Sequence, residues 1–120
     1  MKTIRRFVLL RHEGHGAAHF DLMLEEDAAL ATWQFTTSPA LLKKNGTLPC
    51  QRLADHRKAY LDYEGSVGGN RGNVTRLDSG ACEIISADDE RWSVEILGKQ
   101  VSGRFAFTRR AHGWELSRAS

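Results

Sequence analysis

Residues 11–25 read RHEGHGAAHFDLMLE, and the second half of this stretch alternates: Phe20, Leu22 and Leu24 are apolar, while His19, Asp21 and Glu25 are polar. A β-strand has a side-chain period of two. Phe20, Leu22 and Leu24 therefore fall on one face, and His19, Asp21, Met23 and Glu25 on the other. Just upstream, Phe7-Val8-Leu9-Leu10 is a continuous apolar run within a first strand predicted from Ile4 to Arg11, and such a run implies burial on both faces. A glycine-bearing loop carrying His12 and His15 joins the two strands. Three of the five histidines and an acid are thus gathered in one predicted hairpin.

Outward from this hairpin, strand signals dominate. Glu26-Asp27 reads as a polar turn, and 28–35 (AALATWQF) as a strand or a short helix entering one. Residues 36–49 form the loosest segment, with both prolines and the turn dipeptide Asn45-Gly46. Within it, 40–44 fits one helical turn, with Ser38 as N-cap and Pro39 at the first position. Residues 51–55 read as a short extended piece. In HRKAYLDYEG, 56–65, a helical turn would place His56 and Tyr60 on one face. The segment SVGGNRGN, 66–73, is glycine-rich and irregular; it is either a phosphate cradle or a tight connection between strands. No Gly-Lys-Ser/Thr follows it, which excludes a Walker motif.

From Val74 onward, short strands alternate with turns at Asp78-Ser79-Gly80, at Ala87 to Glu90, at Gly98-Lys99 and at His112-Gly113, and Gly103 reads as a bulge. No long helical stripe appears. The reading is an all-β, single-domain chain (1–120), an antiparallel barrel or sandwich with one or two short helical turns.

The composition narrows the function. Charged residues make up 27% and hydrophobic residues 41% of 120, which fits one globular core and not a disordered chain. The net charge of +2 permits a polyanionic partner without requiring one, and the basic residues are scattered rather than forming the broad patch that coats a duplex. Cys50 and Cys82 have no metal-like spacing and read as reduced structural thiols. The apolar run at the N-terminus is too short for a membrane span or signal, so a cytoplasmic location is expected.

The chemistry lies in the histidines. On one strand face, the Cα atoms of His19 and Asp21 stand about 6.5–7 Å apart, within reach of a single divalent ion. Glycines can fold His12 or His15 back over the strand. An imidazole–carboxylate set suits manganese, iron or zinc. The competing reading is that these histidines are solvated turn residues.

Taken together, FVLLRH…HFDLMLE, TWQFTTSPA, DHRKAYLDYEG, GNRGNVTRLDSG and WSVEILGKQVSGRFAFTRR…GWELS resemble the 3′-phosphoesterase domain of bacterial DNA ligase D and its stand-alone relatives. The resemblance spans nearly the whole chain. It implies a compact β-barrel and a manganese-dependent activity that trims phosphates and ribonucleotides from DNA 3′ ends. Zinc or another divalent ion is a further option. It also implies partners: a DNA 3′ end or primer–template, and a repair ligase or polymerase. His19 and Asp21 fall on the family's metal ligands. His12 and His15 compete for the third place, because the spacing to His19 is one residue longer here. His56 falls on the histidine that contacts the scissile phosphate, and Tyr60 on its partner.

The chain also departs from the family. Met23 replaces a phosphate-binding arginine, Leu10 replaces a glutamine, and Leu48 stands where a second arginine is expected. Arg52 and Arg71 are the candidate phosphate-binding replacements. Two functions follow: a phosphoesterase, or a metal- or DNA-end-binding module on the same fold. They differ in one observable: an enzyme places a cation beside both the metal ligands and His56.

Overall fold

The computed structural model describes residues 3–119. Nine strands run β1 Arg5–Glu13, β2 His19–Glu25, β3 Leu30–Phe35, β4 Thr47–His56, β5 Gly65–Ser66, β6 Asn73–Ala87, β7 Arg91–Leu97, β8 Ser102–Arg110 and β9 Gly113–Arg118. Eight pair in the order β1-β2-β3-β4-β9-β8-β7-β6, and β6 returns to β1, closing an antiparallel barrel. The two-residue β5 adds to the start of β6. Closure removes the free edges of a sheet. The helical content of the described residues is two 3-10 turns, Pro39–Leu41 and Lys58–Leu61. None of the described helices is long and apolar enough to cross a membrane.

Strand periodicity sorts the core into two layers. Phe7, Leu9, Leu22, Leu24, Ala31, Trp33 and Phe35 point inward, and meet Trp92, Val94, Ile96, Phe105, Phe107 and Leu116 from the far wall. Trp33 is the hub: it stacks on Phe107 at 3.9 Å between ring centroids and meets Trp92 edge-on at 4.9 Å. The alternate residues Val8, Leu10 and Met23 point outward, yet are buried with Leu30, Leu61 and Val74 in a second cluster. That cluster explains the unbroken apolar run Phe7 to Leu10. The turn Lys58–Leu61 covers this patch of the outer surface. It is fastened by Arg6 to Asp62 at 2.6 Å and by Lys58 to Glu25 at 3.5 Å.

The structure corrects the sequence reading at several points. Residues 78–80 are not a turn: β6 continues through them, with a register shift opposite Leu9 and Leu10. Asp78 is buried, and its carboxylate accepts N–H groups of Ser79, Lys99, Gln100 and Val101. Gly80 is small because an added Cβ would lie 2.4 Å from the Leu97 carbonyl oxygen. The β7–β8 ladder passes Gly103 without a bulge. The extended piece at 51–55 belongs to a longer strand that begins at Thr47 and includes Pro49. The first strand runs on through His12, so that histidine is a strand residue. His56 ends β4 rather than sharing a helical turn with Tyr60. The Ser38 cap is as expected, with its Oγ accepting the Ala40 N–H, but the turn spans Pro39–Leu41 and does not extend to residue 44.

Candidate functional site

The barrel register assembles the site. His12 of β1 pairs directly with His19 of β2, and Leu10 with Asp21. Opposed residues share a face, so His12, His19 and Asp21 converge on the outer surface next to the second apolar cluster. Their potential ligand atoms all lie within 4.8 Å of one another. His12 Nδ1 is 3.1 Å from His19 Nε2, and His19 Nε2 is 3.6 Å from Asp21 Oδ2.

The other ring nitrogens decide the tautomers. His12 Nε2 meets the Arg71 carbonyl, and His19 Nδ1 meets the Ala17 carbonyl at 3.3 Å. A carbonyl oxygen only accepts, so each of these nitrogens carries the proton in the neutral ring. That leaves His12 Nδ1 and His19 Nε2 as lone pairs facing each other, with a carboxylate beside them. Backbone carbonyls holding imidazoles in this way are the usual outer shell of a metal-ligating histidine. Asp21 is 4% exposed, and its Oδ1 is buried without a hydrogen-bond partner. Burial pushes its carboxyl up from the ordinary range, against the opposing pull of His19, His56 and His12. Three electron-pair donors and an orphaned carboxylate oxygen form a set that a divalent cation would complete.

A cavity of about 140 Å³ opens over these groups. His12, His15 and Asp21 line it together with Met23, His56, Tyr60 and Arg71. His56 is oriented by its Nδ1, 2.9 Å from the Ala54 carbonyl, which leaves Nε2 free in the neutral ring. Tyr60 packs edge-on against it, with ring centroids 5.7 Å apart. Arg71 arrives from the glycine loop, where its Nε donates to the Gly68 carbonyl at 2.7 Å. His15 lies stacked beside His12 at 6.4 Å.

Seven of the eight sequence-predicted site residues therefore meet around the hairpin: His12, His15, His19, Asp21, His56, Tyr60 and Arg71. Arg52 does not join them. It is the register partner of Trp33 and shares its inward face. Its guanidinium lies 4.7 Å from the Trp33 ring centre and 4.8 Å from that of Trp92, with Asp55 at 3.4 Å. It lines a different cavity, beside Trp92 and Trp114. The part of the site that no sequence signal announces is the Arg71 carbonyl, a backbone group whose role depends on the fold alone.

The structure is thus a closed eight-stranded barrel with a two-histidine, one-carboxylate cluster on its outer wall, beside a cavity that His56 and Arg71 also line. The chain belongs to the DNA ligase D 3′-phosphoesterase domain family, whose family model matches residues 11–109. No curated protein matches it.

Proposed function

We propose that this protein is a divalent-metal-dependent phosphoesterase that removes phosphate or a terminal ribonucleotide from DNA 3′ ends during repair. A repair ligase or polymerase would then use the cleaned end. The observation that carries the reading is the shared cavity. Arg71 lines the same 140 Å³ space as His12, Asp21 and His56, so a cation-bearing loop borders both the candidate ligand set and His56.

His12, His19 and Asp21 would hold the ion, with manganese the first choice and zinc the second. When bound, such an ion supplies Lewis-acid polarisation of a phosphoryl oxygen and a more acidic water. The chain's own residues do the rest. Arg71 offsets phosphate charge and fixes its position. His56, held through Nδ1, keeps Nε2 for the substrate; protonated, it would donate to a phosphate oxygen or to the departing oxygen. Tyr60 fixes the His56 ring plane. Met23 and the apolar cluster behind it limit water on the buried side of Asp21.

The test is metal-dependent release from a primer–template bearing a 3′-phosphate or a single 3′-ribonucleotide, with His19→Ala as control. Turnover with Mn²⁺ in the parent and its loss in His19→Ala are expected. Metal binding by the parent without turnover on either end would replace this reading with that of a binding module.

A further inference from the structure

A second cavity, about 220 Å³, adjoins the first and shares Tyr60, Val67 and Arg71 with it. Its other walls include Arg57, Tyr63 and Gly68. We propose that this cavity is a nucleobase subsite, which takes the base of the nucleoside esterified to the phosphate held at Arg71. The proposal rests on the phosphoesterase reading above and extends it to the substrate's base.

Three features support it. First, the rings of His56, Tyr60 and Tyr63 form a continuous edge-to-face series, with centroid separations of 5.7 Å and 6.0 Å. The series leads from the reaction cavity into the second one. Second, Tyr63 is 39% exposed, although its hydroxyl is tied to the Ser66 carbonyl. A ring fixed at its hydroxyl and open on its surface is a ready stacking platform, and stacking accepts any base because every base has a π-face. Third, the Arg57 side chain is exposed and has no hydrogen-bond or ion-pair partner among the described residues, so its donors are free for a base edge or a ribose hydroxyl. Arg71 borders both spaces. A phosphate placed there has the metal-ligand set on one side and the tyrosine pocket on the other.

A phosphate diester carries two nucleosides, the departing one through its 5′-oxygen and the retained one through its 3′-oxygen. Both present the same chemistry to the pocket, so the probes must separate them. Calorimetric titration of the full chain with Mn²⁺ present would compare inorganic phosphate, adenosine 5′-monophosphate and adenosine 3′-monophosphate. At least one nucleotide is expected to bind about tenfold or more tightly than phosphate, the range of one base–aromatic stack. Preference for the 5′-phosphate assigns the pocket to the departing nucleoside, and preference for the 3′-phosphate to the retained one.

Tyr63→Ala is expected to remove the advantage of the nucleotide while leaving phosphate binding within about twofold. Tyr63→Phe, which keeps the ring, is expected to retain it. Equal binding of phosphate and both nucleotides, or a nucleotide advantage that survives Tyr63→Ala, overturns the subsite alone. Absence of binding by all three probes overturns the phosphate site and the subsite together.

Discussion

His12 Nδ1 and His19 Nε2 face each other at 3.1 Å with backbone carbonyls occupying the opposite nitrogen of each ring. Two lone pairs at that distance repel unless a proton or a cation lies between them. Added Mn²⁺ or Zn²⁺ is therefore expected to raise the thermal midpoint, by about 2.7 kcal/mol of stability at a hundredfold excess over Kd. His12→Ala is expected to lose this response and His15→Ala to keep most of it, because His12 and not His15 belongs to the 4.8 Å cluster. Thermal melts with and without metal check both.

Asp21 supplies a pH-dependent counterpart. Burial raises its carboxyl, so the ionised form costs folding stability. Stability tied to this group is fully present below the ordinary carboxylate range and is lost as pH rises through the raised value. Without metal, Asp21→Asn is expected to be more stable than the parent at neutral pH by about 1 kcal/mol, and to lose that advantage in acid. It should also lose the metal response. Urea denaturation at neutral and acidic pH measures the first effect, and the melts above measure the second.

Gly72 controls how the arginine loop meets β1. Its φ is +85°, and an added Cβ would sit 1.9 Å from the Glu13 carbonyl oxygen. The neighbouring Arg71 carbonyl is the group that orients His12. Gly72→Ala is expected to displace the loop, cost about 2 kcal/mol or more, and weaken metal binding roughly tenfold although no ligand is changed. Metal titration alongside urea denaturation checks the two effects.

Asp78 behaves in the opposite sense to Asp21. Burial pushes its carboxyl up, but the N–H groups of Val101, Lys99, Gln100 and Ser79 outweigh burial and hold it below the usual range. A depressed value means stability that is present above the ordinary carboxylate range and is lost as pH falls through the depressed value. Asp78→Ala is expected to cost about 2–3 kcal/mol at neutral pH and to flatten the acid limb of the stability curve, as urea denaturation across pH would show.

These residues also show what the sequence made legible. His19 and Asp21 were readable as a pair because a period of two needs no tertiary information. The glycines that follow His12 give it a loop signature, whereas pairing with His19 and with β6 carries the strand through it to Glu13. Asp78-Ser79-Gly80 has turn chemistry. Here the acid caps the turn at 99–101 and the glycine admits the Leu97 carbonyl, contacts that exist only once β6 meets β7. Spacing alone makes Arg52 a plausible phosphate ligand. Which face a strand residue takes depends on register, and its register partner is Trp33. Cys50 and Cys82 were readable as inert: both are free and buried, with burial pushing their thiols up to about 12 and about 11.

Met23 is 1% exposed within the outer apolar cluster, with Val8, Leu10, Leu30, Leu61 and Val74 around it. An arginine in its place would bury a guanidinium among aliphatic groups. Met23→Arg is expected to destabilise the fold by about 2–4 kcal/mol without raising activity. In the proposed reaction the cation is Arg71, from the loop. Arg71→Ala is expected to lower kcat/KM on a 3′-phosphate end by about 10²–10³-fold while leaving metal affinity within about threefold, since the backbone carbonyl that holds His12 remains. Steady-state phosphate release and metal titration on the same variant separate the two roles. A loss of metal binding as large as the loss of activity would make Arg71 a structural residue of the loop, with no contact to phosphate.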